Sequence, residues 1–256
     1  MPEGIAEGIG ASVRRKEDKK YTTGKGRYTD DIKRDGQLYA FFVRSNVAHA
    51  TIKKIDVSKA LTCDGVAAIY TGDDIAADGV GGPICGWTPT NRDGSAPKEP
   101  PHPLLAHSKV RYVGDHIAVV IAESLEQARS AAEKITVDLD VLPPVVDLST
   151  AIGNTQIHDE MDDNVYFDWE LGDESATASA LESAAKIVEL TVTNNRVIPN
   201  AMEPRAAVAE YDETNENYTL YTTSQNPHLT RLVMAAFMMQ IPESKLHVVA
   251  PDVGGG

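Results

Sequence analysis

Cysteine is nearly absent from this sequence: Cys63 and Cys85 are the two among 256 residues. Two unpatterned thiols supply neither a disulfide framework nor a zinc cage, so both read as ordinary reduced side chains. Aromatic residues are scarce as well, at 6%. No run approaches the ~20 apolar residues that a membrane helix needs. The acidic opening Met1-Pro2-Glu3-Gly4-Ile5-Ala6-Glu7-Gly8 has no basic region followed by an apolar one, which sets a cytoplasmic location as the default expectation. Positive charge is in deficit: 24 Lys and Arg face 38 Asp and Glu, a net charge of −14 that opposes nucleic acid and anionic membranes as partners. The one basic cluster, Arg14-Arg15-Lys16 with Lys19-Lys20, is broken by Glu17 and Asp18 and reads as a solvated segment or a contact within a larger assembly.

Several familiar motifs are missing. Gly8-Ile9-Gly10 opens like a dinucleotide fingerprint, but Val13 stands where the third glycine belongs and no apolar strand precedes it. Thr23-Gly24-Lys25-Gly26 is not a phosphate loop, because Lys25 is followed by Gly26 rather than Ser or Thr. No His-Glu-x-x-His helix exists, so His102 and His107 read as ordinary histidines. No Gly-x-Ser-x-Gly elbow makes Ser224 a nucleophile.

What is present falls into two blocks. In the first, Leu38–Arg44 and Val66–Tyr70 read as strands around a short helix Ser58–Leu61. Ile117–Ala122 is a fully apolar strand, Ser124 with Gln127 offers a capping box for a helix Leu125–Lys134, and Ile135–Val141 alternates as a half-buried strand does. Two strand–helix–strand passages predict a mixed sheet covered by helices. Between them Gly79–Pro103, rich in Gly and Pro, is too long for an ordinary connection and reads as an excursion or lid. Leu142-Pro143-Pro144 then places a boundary near residues 145–160. In the second block we expect a helix over Ala176–Lys186, a strand Ile187–Thr193, a hairpin of Ala206–Tyr211 with Tyr218–Thr222, a helix His228–Met239 capped by Asn226 and started by Pro227, and a strand Lys245–Ala250.

That last strand runs into Pro251-Asp252-Val253-Gly254-Gly255-Gly256. Three glycines are costly to order and let a backbone lie against a ligand with no Cβ in the way; the carboxyl end of a strand is where α/β proteins commonly bind ligands. Thr223-Ser224-Gln225-Asn226-Pro227-His228 puts a carboxamide at a strand-to-helix turn, beside the free N–H groups of a helix start. Both turns could open on one sheet edge as a pocket for an anionic or oxo-bearing ligand. A plain turn role for Gln225 fits the local sequence equally well.

Thr23–Ile32, Val43–Ala50, Val110–Asp115, Met202-Glu203-Pro204-Arg205, Thr223–His228 and Pro251–Gly256 together resemble, in order, the molybdenum-binding large subunit of the xanthine dehydrogenase and aldehyde oxidase family. The style is nearest the bacterial three-subunit, carbon monoxide dehydrogenase-like members. The resemblance implies an α/β (α+β) fold: an N-terminal extension over residues 1–19, an α/β hammerhead domain over 20–145, and the beginning of a molybdopterin-binding domain over 146–256. It implies hydroxylation of a carbon centre in an aldehyde, an N-heterocycle or carbon monoxide with oxygen from water. Electrons would leave through [2Fe-2S] clusters on a small subunit and FAD on a medium subunit, in a hetero-oligomer. The implied cofactor is molybdenum–molybdopterin in the cytosine dinucleotide form, with Gln225 near the metal and Gly254, Gly255 and Gly256 packed against the pterin–metal centre. Glu203 and Arg205 match a family motif too, with a buried structural ion pair as plausible as a site role.

The family loop continues beyond the three glycines with Phe-Gly, and the family's glutamate base lies far downstream. No catalytic base and no metal-ligating residue is therefore assigned in this sequence, which is expected to be the amino-terminal portion of a longer subunit and inactive by itself. The alternative is a non-catalytic hammerhead-type module that docks on redox partner subunits.

Overall fold

The β-branched and apolar runs of the first block form six strands: β1 (Tyr39–Arg44), β2 (Ala50–Asp56), β3 (Val66–Thr71), β4 (Lys109–Val110), β5 (His116–Ala122) and β6 (Thr136–Val141). The computed structural model describes residues 8–255; Gly256 and the acidic opening through Glu7 lie outside the described residues. The chain divides into two compact units made of non-contiguous segments. The larger contains Asp35–Ile198 and Leu232–Pro242, and the smaller contains the residues up to Arg34, Pro199–Arg231 and those from Glu243 onward.

In the larger unit β5 lies between β1 and β3, and β2 lies between β4 and β6. Every pairing in these two sheets is antiparallel. The mixed sheet expected here is thus corrected to two antiparallel sheets. The physical reason is β2, which the expectation lacked: it takes β6 as its partner, so β5 and β6 do not share a sheet.

Ser124 ends β5 cleanly. Its Oγ accepts the Gln127 N–H at 3.2 Å, an N-cap worth about 1 kcal/mol, and the helix Leu125–Ala132 follows. Its face presents Ala128, Ala131 and Ala132 to Val120 and Ala122 of β5 and to Ala60, and Phe41, Val43 and Ile69 pack against the same cluster. Small side chains let the helix lie close to the sheet. A second cluster joins Ala50, Ala106, Val110 and Ile117. Full burial of a residue such as Ile117 contributes roughly 1.5–3 kcal/mol. His49, 1% exposed, points its Nδ1 at the Pro143 carbonyl at 2.9 Å, which makes it a core histidine.

The Gly79–Pro103 excursion has no helix or strand. It is tied within its unit by Gly81 N–H to the Met238 carbonyl at 2.8 Å, and by Trp87 packed edge-on against Phe167 and Trp169. Downstream, the expected alanine-rich helix forms over Glu174–Glu182, but no residue in it is buried. The expected strand over 187–193 does not form: this stretch carries no regular structure, and Val188, Leu190 and Val192 are exposed. A strand needs a ladder partner, and no described residue pairs with this one.

In the smaller unit β7 (Ala207–Asp212) and β8 (Asn217–Thr222) form the expected hairpin, and β9 (Leu246–Val249) joins β8 in parallel. This sheet is mixed, with one antiparallel and one parallel pairing. Pro227 opens the helix Pro227–Leu232; the π-type turn Val233–Met239, which stops at Gln240 in the left-handed conformation with φ 55°, belongs to the larger unit.

Candidate functional site

Parallel pairing of β8 and β9, with Tyr218 opposite Leu246 and Tyr221 opposite Val249, sends both strands out at the same sheet edge. The turn Thr223–Asn226 leaves one and the loop Pro251–Gly255 leaves the other. Both turns therefore leave the same end of the sheet.

Short-range hydrogen bonds fix the first turn. The Ser224 Oγ accepts the Asn226 N–H at 3.1 Å and lies 3.1 Å from the Thr230 hydroxyl. The Asn226 Oδ1 caps the helix by accepting the Leu229 N–H at 3.1 Å. Gln225 sits between these anchors, exposed, and its carboxamide has no hydrogen-bond partner among the described residues. The backbone is held while the side chain is left available.

The second loop is held from two sides by carboxylates. Asp252 accepts from the Lys20 ammonium at 2.6 Å, the Tyr21 hydroxyl at 3.1 Å and the Arg27 N–H at 2.7 Å. These partners, Lys20 first, hold the Asp252 carboxyl below its ordinary range, and the same hydrogen bond raises Lys20. Lys20, read from sequence as part of a solvated or assembly-contacting segment, is thus an intrachain ion-pair partner. On the other side, the Glu203 carboxylate accepts the Gly254 N–H at 2.6 Å and the Thr223 hydroxyl at 3.0 Å. Glu203 does not form a buried ion pair with Arg205, which is exposed and has no ion-pair partner among the described residues. That reading is corrected.

The glycines have a cause within the chain. A Cβ on Gly254 would lie 2.5 Å from the Glu203 Cβ, and one on Gly255 would lie 2.6 Å from the Ala201 Cβ. Gly255 also adopts φ 145°, a region that side chains disfavour. Side-chain and backbone atoms of residues 201–203 therefore occupy the space that the missing side chains leave.

His102 and His107 are exposed, and His107 lies beside Asp73, with Nδ1 2.5 Å from its carboxylate. No cluster of three or more His, Cys, Asp or Glu able to hold a metal occurs among the described residues. Among those residues no helix is long and apolar enough to cross a membrane. A cavity of about 430 Å³ in the larger unit, lined by Val145, Ile157, Met161, His158 and Tyr166 among others, contains none of the sequence-predicted site residues. Glu203 is the site residue whose role sequence reasoning left open. The Met202–Arg205 phrase was the available signal.

Comparison with known proteins adds the context. Residues 23–143 match the aldehyde oxidase and xanthine dehydrogenase a/b hammerhead domain, and residues 157–256 match the molybdopterin cofactor-binding domain. The chain is 35% identical to the carbon monoxide dehydrogenase large chain of Afipia carboxidovorans, over 98% of this chain and 31% of that protein. It is 34% identical to the nicotine 6-hydroxylase large subunit of Paenarthrobacter nicotinovorans, over 97% and 30%. Among solved structures, quinoline 2-oxidoreductase from Pseudomonas putida 86 matches with a TM-score of 0.83 and 34% identity, over 99% of this chain and 31% of that one. The Cu,Mo-CO dehydrogenase matches with a TM-score of 0.83 and 33% identity, over 97% and 32%. The chain thus spans about a third of the length of the relatives it matches.

Proposed function

The chain belongs to the aldehyde oxidase and xanthine dehydrogenase family, and we propose that it is the amino-terminal part of a molybdenum hydroxylase large subunit. The fold is α/β (α+β), a hammerhead domain followed by residues of a molybdopterin-binding domain. The whole subunit would oxidise a carbon centre with oxygen from water. Relatives named for carbon monoxide and nicotine, and a solved relative named for quinoline, support a small carbon substrate of the aldehyde, N-heterocycle or carbon monoxide classes. The electrons would pass to an iron–sulfur small subunit and an FAD-binding medium subunit, in the cytoplasm.

The observation that carries this reading is the pair of turns at the carboxyl edge of β8 and β9. The residues present fit the cofactor. Gln225 offers an unpartnered neutral amide, which can donate a hydrogen bond without adding charge, while the glycine loop, whose Cβ positions are closed by Ala201 and Glu203, leaves the same end of the sheet. In this reading Gln225, Gly254 and Gly255 would hold molybdenum–molybdopterin, in its cytosine dinucleotide form, together with Gly256, which lies outside the described residues. When bound, the cofactor supplies the redox-active metal; this chain orients it. The division into an extension over 1–19, a hammerhead domain over 20–145 and cofactor-binding residues over 146–256 belongs to the same proposal.

The test is Gln225→Ala in the full-length subunit. Gln225 fills no core volume, so the variant is expected to keep its fold and molybdenum content and to lose turnover roughly 10²-fold, the scale of one donor removed at a reacting centre. Unchanged turnover at full molybdenum occupancy would make Gln225 a turn residue only.

A further inference from the structure

Glu203 stands at a junction of four chain segments. Its Oε2 accepts the Gly254 N–H at 2.6 Å, and its Oε1 accepts the Thr223 hydroxyl at 3.0 Å and the Thr29 N–H at 3.4 Å. Its own N–H faces the Gly254 carbonyl at 3.4 Å. Thr29, Thr223 and Gly254 lie 174, 20 and 51 residues away in sequence. Thr223 is two residues before Gln225, and Gly254 begins the glycine loop. One carboxylate thus spans the two turns, and the close approach of the two Cβ positions shows that only glycine fits at 254.

We infer that Glu203 is a positioning residue that sets the distance between the Gln225 turn and the glycine loop, and through them the seat of the pterin cofactor. The inference rests on the function proposed above. A carboxylate suits the task because it is acceptor-only and can take several donors at once. Without it the Gly254 N–H loses its acceptor, and hydrogen bonds to a charged group are among the stronger ones in proteins. The loop is then released from the Thr223 turn while the β7–β9 ladder, which Glu203 does not join, stays paired.

The experiment uses the full-length subunit expressed where the molybdenum cofactor is made, with wild type, Glu203→Ala, Glu203→Gln and Thr223→Val compared. Molybdenum and pterin per subunit, the Mo(V) paramagnetic resonance signal and hydrogen exchange at the Gly254 amide are measured. Glu203→Ala is expected to hold roughly tenfold less cofactor, to show an altered Mo(V) signal in the loaded fraction, and to exchange the Gly254 amide faster. Glu203→Gln should restore most of the occupancy: its oxygen accepts the Gly254 N–H and its amide donates to the Thr223 hydroxyl, which can reverse its role, so that only the longer 3.4 Å bond from the Thr29 N–H is lost. Wild-type occupancy and signal in Glu203→Ala would overturn the inference, as would equal depletion in the Ala and Gln variants. If Glu203→Ala fails to accumulate, Thr223→Val decides, with an altered Mo(V) signal expected and a wild-type signal overturning. A wild-type subunit that binds no molybdenum would overturn the proposed function and this inference with it, and the amide exchange would then report only whether the tie exists.

Discussion

Of the two alanine-rich helices of the larger unit, Leu125–Ala132 buries Ala128 and Ala131 completely, whereas Glu174–Glu182 buries none of its residues. Both have a side-chain N-cap: Ser124 accepts from the Gln127 N–H, and Asp173 accepts from the Ala176 N–H at 2.8 Å. Helix propensity and capping are therefore shared. What differs is the flanking chain. β5 enters the first helix and β6 leaves it, and β5 is itself held between β1 and β3. The second helix is followed by a stretch that pairs with no described residue. Capped alanine sequence specifies that a helix forms; a paired strand beside it specifies which face is buried.

A matched charge insertion tests this most severely. Ala128→Asp is expected to destabilise the larger unit by about 3 kcal/mol or more in urea unfolding, because it buries an unpaired charge. Ala178→Asp should change the unfolding free energy by no more than about 0.5 kcal/mol. Equal effects would break the comparison. Removing a cap should act more gently: Ser124→Ala is expected to cost about 1 kcal/mol of global stability.

Acid provides the smallest and most selective probe. The Ala176 N–H first, then the Ser175 hydroxyl, hold the Asp173 carboxyl below its ordinary value of 3.8. Its contribution is complete above that value and is lost as pH falls through the lower folded value. The Ser124 cap has no group titrating there. Lowering the pH below about 3.8 should therefore shift the Ala176 amide resonance, with Gln127 unchanged by cap titration. Parallel shifts at both amides would show a general acid transition instead.

Legibility in the sequence followed the range of the interactions. The apolar run of β5, the polar turn between β7 and β8, and the Asn226-Pro227 helix start were all readable, because each rests on residues within a few positions of one another. β2 was not readable. Its register against β6 shifts between Ile52 and Lys54, and such a bulge breaks the two-residue alternation that marks a strand. The stretch over 187–193 shows the reverse failure, since its alternation is good and its ladder is absent. At the site, Gln225 and the glycine loop could be singled out by residue type. The tie through Glu203 could not, because its donors come from three distant segments that folding alone brings together.

The ion pair between Lys20 and Asp252 joins residues 232 positions apart. At ~5–20 residues added per second during synthesis, its two halves are made roughly 10–50 s apart. Residues 18–34 therefore leave the ribosome long before the segments they bind, while every strand of the larger unit's two sheets has already been made. The smaller unit closes around a nascent chain in which its first contributor has been waiting longest. In that interval the Lys20–Arg27 stretch lacks its anchor, and the arrival of Asp252 ties it down through Lys20, Tyr21 and the Arg27 N–H.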